Sequence, residues 1–236
     1  MKNIVTLMIA VALPVLMAAQ PQSSFKLEWA STGSHCVIGG GPSLDYQKKA
    51  FNHSAWRGEK VFAQAEISSD AELKDVTVAV SDLRSGKSVI GSGNISVQFV
   101  SFVVSDLLDT TKYGQCGQRQ DKSEWGEVLV ADVLDLKESM NIPTGRKQPV
   151  WMTVNVPSDA KPGKYTGRMT VSSSNAKARS LPVELVVSDH ILPPAHDWTF
   201  HLDLWQNPYS VARYAGVPLW SEAHFEAMRP VMRMLA

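Results

Sequence analysis

His201, Asp203 and Trp205 alternate with Phe200, Leu202 and Leu204 in the run from Phe200 to Tyr209. A β-strand turns successive side chains to opposite faces. The spacing therefore predicts a strand with one apolar face and another bearing an imidazole, a carboxylate and an indole. Gln206, Asn207, Pro208 and Tyr209 follow, which have the composition of a carbohydrate-binding loop. An indole offers an apolar surface to the flat face of a sugar, and an amide offers a hydroxyl partner. His201, Asp203, Trp205, Gln206 and Asn207 are thus the candidate substrate-binding residues. Plain packing accounts for Trp205 equally well, and buried hydrogen bonding accounts for His201 and Asp203.

The elements that must position this run come before and after it. From Phe25 to Val187 the pattern is all-β, with alternating apolar residues in Lys60–Ile67, Val76–Val80, Val150–Val156 and Lys164–Ser172. Asn94–Val104 is apolar on both faces toward its end, which predicts a central strand. Asp82–Ser92 reads as a turn region, and Pro162-Gly163 has the residues of a tight turn. Strands about 8–12 residues apart with turn punctuation argue for an immunoglobulin-like β-sandwich. Ser188–Asp197, with Pro193-Pro194, reads as a stiff linker. Beyond the predicted strand, a loop runs to Leu219. A helix is then expected from Ser221 as N-cap, with Phe225, Met228, Met232 and Leu235 on one stripe and Pro230 kinking it.

Composition bounds the function. Lys plus Arg equals Asp plus Glu, so the formal net charge is zero. That removes the electrostatic argument for nucleic-acid binding and for a polybasic membrane contact. Lys2, the apolar Ile4–Met17 and the small pair Ala18-Ala19 predict a cleaved signal peptide, hence a periplasmic or secreted protein. The apolar run is short of the ~20 residues a spanning helix needs. Cys36 and Cys116 form a candidate disulfide, and two buried free thiols fit as well. The six His residues are scattered without paired ligand spacing, so no metal and no cofactor is expected. The glycine run Gly39–Gly41 lacks the residues of a phosphate cradle and reads as a turn.

Several segments carry a family resemblance. Phe200–Tyr209, continued by Val211–Tyr214 and Leu219–Phe225, resembles the start of the catalytic domain of family 123 glycoside hydrolases. Val156–Gly167, Cys116–Arg119 and Leu129–Asp135 resemble that family's N-terminal sandwich. The resemblance implies a signal peptide over 1–19, a β-sandwich over 20–188, a linker over 189–197, and over 198–236 the first strand and helix of a truncated barrel. In a barrel, residues at the C-terminal end of a strand reach the active site. His201, Asp203 and Trp205 would then face the lumen.

The implied activity is that of an exported β-N-acetylgalactosaminidase acting on a glycan or glycolipid by retaining, substrate-assisted hydrolysis. The family's catalytic Asp–Glu pair is expected in a later barrel strand, beyond Ala236. No catalytic residue is therefore assigned in this chain, whose partner would be the remaining barrel and which is expected to be inactive alone. A free-standing exported β-sandwich that binds carbohydrate or acts in adhesion is the alternative reading.

Overall fold

In the computed structural model the described residues are 24–33, 36–38, 46–47, 51–105 and 128–235. The signal segment, the Gly39–Gly41 turn, Cys116 and Arg119 lie outside them, so the Cys36–Cys116 pairing does too. Strands β1 (Lys26–Ala30), β2 (Val37–Ile38), β3 (Tyr46–Gln47), β4 (Phe51–Arg57), β5 (Lys60–Ser68), β6 (Leu73–Val80) and β7 (Leu83–Ser85) open the chain. They are followed by β8 (Ser88–Ile90), β9 (Ile95–Ser105), β10 (Val128–Leu134), β11 (Met140–Ile142), β12 (Lys147–Asn155), β13 (Gly163–Ser173) and β14 (Ala176–Ile191).

The strands form two sheets, one in the order β2-β10-β9-β12-β5-β1-β3 and the other β11-β6-β13-β14-β4. β9 lies inside the first sheet between β10 and β12, as its two-faced apolar pattern predicts. The alternating apolar sets of β5, β12 and β13 meet between the sheets, where Ile67, Val150, Met169 and Leu185 are fully buried. Trp29 joins the two layers. Its ring packs against Phe51 at 5.5 Å, and its indole N–H donates to the Pro182 carbonyl across the core. At the start of β13 the buried Tyr165 donates its hydroxyl to the Lys161 carbonyl, 2.8 Å away, a corner typical of immunoglobulin-like sandwiches.

Two local expectations change, and two further strands appear. The Asp82–Ser92 turn region contains the β7–β8 hairpin, closed at Gly86 with φ 57. β4 and β11, which no clean alternation marks, are strands because neighbours pair with them. β4 joins β14 in parallel, so the N-terminal half is tied to the last strand. β14 runs to Ile191, and Ile191 pairs with Arg57. The first residues expected in the linker are therefore part of the sheet, because β4 supplies a partner for their backbone.

β7 pairs antiparallel with β13 at Thr166, and the chain around Leu83 packs close on Gly167. A Cβ there would stand 2.5 Å from Leu83 Cδ2 and 3.0 Å from the Asp82 carbonyl oxygen. Gly167→Ala is expected to destabilise the sandwich by about 1–3 kcal/mol through overpacking. Urea unfolding of the variant checks this, and an unchanged midpoint would contradict the close approach.

The outer face of the first sheet is not simply solvated. On β5, Gln64 and Glu66 point away from the core, yet both are buried. Ala30, Cys36, Val100 and Ala131, with Phe102 and Trp151, form a second small apolar cluster on that side. Lys147 reaches the Glu66 carboxylate at 3.2 Å. Burial pushes the Cys36 thiol up from 9.0 to about 11, with Glu66 adding to the rise and Lys147 opposing it. The thiol is thus protonated at neutral pH and behaves as a small apolar group.

Candidate functional site

The chain leaves the sandwich at the end of β14. Arg57 donates from Nη2 to the Asp189 carbonyl at 2.7 Å, and the Leu192 N–H returns to the Arg57 carbonyl at 2.8 Å. Pro193 and Pro194 follow, and the Trp198 indole N–H donates to the Pro193 carbonyl at 2.9 Å. Trp198 then stacks on Phe200 with ring centres 5.2 Å apart. The linker is stiffened by its own rings and prolines.

The run 200–205 is not a strand. Phe200, Leu202, Leu204 and Trp205 are all exposed, Trp205 at 95%. His201 and Asp203 are exposed as well. The physical reason is pairing: a strand is held by the backbone groups of its neighbours, and none of the described strands lies beside this run. Without a partner, the two-faced pattern has nothing to sort against. The five candidate residues are brought together by chain proximity alone.

Immediately afterwards, the expected loop to Leu219 contains helix α1 (Pro208–Ala215). Asn207 is its N-cap, and its Oδ1 accepts the Ser210 N–H at 3.3 Å. Pro208 fills the first helical position, where no N–H is needed, and Gly216 ends the helix with φ 66. The Asn-Pro pair and the later Gly are the sequence signal for this helix. Asn207 therefore has a structural task beside any sugar contact, and the Gln206 amide donates back to the Leu204 carbonyl at 3.3 Å.

Helix α2 (Glu222–Leu235) begins as expected, with Ser221 Oγ accepting the His224 N–H at 3.2 Å and Glu222 in the first turn. It continues through Pro230. His224 is the residue that sequence reasoning passed over. Its ring is fully buried, and Nδ1 accepts the Trp220 N–H at 2.9 Å while Nε2 lies 2.9 Å from the Pro208 carbonyl. An acceptor at Nδ1 and a carbonyl opposite Nε2 require the neutral ring with its proton on Nε2. Trp220 sits at φ 61, a costly backbone for a bulky residue. Its ring packs edge-on to Tyr209 at 5.9 Å and against His224 at 5.3 Å. With both nitrogens engaged, His224 fixes the start of α1, and so the base of the Trp205–Asn207 segment.

Comparison with known proteins decides what this arrangement is. Residues 29–173 match the glycoside hydrolase 123 N-terminal domain, and residues 205–236 match the glycoside hydrolase 123 catalytic domain. The chain belongs to glycoside hydrolase family 123. A solved family 123 glycoside hydrolase from Clostridium perfringens, described for glycolipid glycan hydrolysis, shares the fold with a TM-score of 0.75 at 20% identity. The match covers 90% of this chain and 36% of that one. CaCohA2 from Clostridium acetobutylicum matches at 12% identity over 72% of this chain and 94% of its own, but its TM-score of 0.30 carries no argument. Among curated proteins nothing matches.

The family 123 catalytic-domain match starts at Trp205, within the candidate segment. Among the described residues, no group of three or more His, Cys, Asp or Glu side chains is placed to hold a metal ion. No helix among them is long and apolar enough to cross a membrane.

Proposed function

We propose that this chain forms the sandwich and the first part of the catalytic domain of an exported enzyme that removes terminal N-acetylgalactosamine from glycans or glycolipids. The observation that carries this reading is the order of the two family 123 matches, sandwich then catalytic domain, separated by the stiffened linker. In substrate-assisted hydrolysis the acetamide oxygen of the sugar attacks C1 and the aglycone oxygen leaves with a proton. Water then opens the cyclic intermediate with retention of configuration. The protein supplies an Asp that orients the acetamide and a neighbouring Glu that first donates and then accepts the proton.

The 236 residues contain no adjacent Asp-Glu. Asp203 and Asp189 each lack a neighbouring Glu, so neither takes that role, and the chain by itself is proposed to be inactive. In this reading Trp205 offers its exposed ring to a sugar face, with His201, Asp203 and Gln206 near it along the chain. The leader over Met1–Ala19 would direct the protein to the periplasm or the exterior.

A chromogenic nitrophenyl β-N-acetylgalactosaminide tests the proposal. The chain extended by the remainder of a family 123 catalytic domain is expected to release nitrophenol and to give the β-anomer first by proton NMR. The 236-residue chain is expected to give background rates. Inverted product, no cleavage by the extended protein, or turnover by the shorter one would overturn it.

A further inference from the structure

The outer face of the first sheet carries a cleft of about 320 Å³ that the catalytic reading does not use. Val100 and Ala131 make an apolar floor, and both are buried. Trp151 and Leu134 form walls, the exposed Thr32 and Asp132 supply polar groups at the rim, and the buried Gln64 lies in the lining. The cleft is built across β5, β12, β9 and β10, which are hydrogen-bonded neighbours, so its geometry is that of a sheet rather than of a loop. Trp151 is held by Phe62, whose ring lies 5.9 Å away at a tilt of 38°. The Gln64 amide is held by donation to the Ser31 carbonyl at 2.9 Å.

We infer that this cleft is a second, non-catalytic glycan site that takes one neutral pyranose ring. The indole wall suits the C–H face of a sugar, and the Asp132 carboxylate and the Thr32 hydroxyl suit its hydroxyls. The volume lies at the small end of ligand cavities, the scale of a monosaccharide rather than of a peptide or lipid chain. Among the described residues the lining holds one carboxylate, Asp132, and no cation, so a uronic or sialic acid would meet repulsion from Asp132. The inference stands apart from the proposed hydrolysis, because no residue of the tail takes part in the cleft. Its consequence is retention of the protein on the glycan surface that the catalytic domain would trim.

The test uses the whole chain with its seven tryptophans labelled at the indole nitrogen. N-acetylgalactosamine is the probe, glucuronate is the charged control, and the readout is indole NMR. The Trp151 resonance is expected to shift saturably with a roughly millimolar dissociation constant, the range for a ligand of about fifteen non-hydrogen atoms. Trp151→Ala is expected to abolish the binding. Asp132→Ala, at an exposed position, is expected to weaken it about tenfold without altering the fold. No saturable shift, equal binding of glucuronate, or full affinity in Asp132→Ala would overturn the inference. So would shifts at Trp205 with none at Trp151, which would put the sugar on the tail and leave the catalytic reading standing. Failure of hydrolysis alone would leave Trp151 binding untouched.

Discussion

Trp29→Ala is expected to lower the stability of the sandwich by about 3–5 kcal/mol, the range for deleting a large buried aromatic. Trp29 is 3% exposed, and three contributions converge on it. The ring fills space between the sheets, it packs on Phe51 of β4, and its N–H satisfies the Pro182 carbonyl of β14. Truncation leaves a cavity and an unpaired carbonyl together. For a domain of about 150 residues that loss corresponds to a melting temperature lower by about 6–20 °C. Trp29→Phe keeps most of the apolar volume and loses the hydrogen bond, so a fall of about 1–2 kcal/mol is expected. Chemical unfolding of both variants checks the pair. If Trp29→Ala shifted stability by less than about 1 kcal/mol, the ring would not be joining the sheets.

The second large effect is local. His224→Ala removes the acceptor of the Trp220 N–H and the partner of the Pro208 carbonyl in one step. The two part-buried hydrogen bonds, at about 0.5–1.5 kcal/mol each, and the space left by the fully buried ring together cost the packing of α1 on α2 about 2–5 kcal/mol. The strained backbone of Trp220 loses its restraint as well. No residue of this hairpin belongs to the core of the sandwich, so the two regions are expected to respond separately. Amide exchange over 208–235 should rise tenfold or more while exchange in β5 and β12 stays constant. His224→Gln, which keeps one hydrogen-bonding group in the site, is expected to lose less. Unaltered exchange in the hairpin of His224→Ala would show that the ring is not its fastener.

The two predictions differ in how far the sequence prepares them. β1 is legible as a strand, but nothing local says that Trp29 spans both sheets, because Phe51 and Pro182 are distant in the chain. His224 lies between Ser221 and Phe225, whose helical roles are legible. Its burial depends on α1, and α1 is announced only by Asn207-Pro208 and Gly216. Reading those residues as a sugar-binding loop hid the cap. The same competition affects Asn207, since an amide that caps a helix and an amide that binds a hydroxyl look alike in one dimension.

The sequence by itself determined whatever depends on neighbours along the chain. The alternation of Val61, Ala63, Ala65 and Ile67, and that of Val150, Met152 and Val154, is enough to define strands and their inner faces. Ser221 and Glu222 define where α2 begins. The segment around Trp205 is specific enough to indicate family 123, the one around Tyr165 is shared by many exported sandwiches, and the domain matches bear the family out. Tertiary structure alone decided what depends on partners from elsewhere. It extended β14 to Ile191 beside β4, buried Gln64 and Glu66 on the outer face, and opened the cleft next to Trp151. The pattern from Phe200 to Trp205 is as regular as that of β5. β5 lies between β1 and β12, whereas the later run has no described strand to receive its hydrogen bonds. Periodicity sets which side chains would share a face, and only a paired backbone turns that periodicity into a strand.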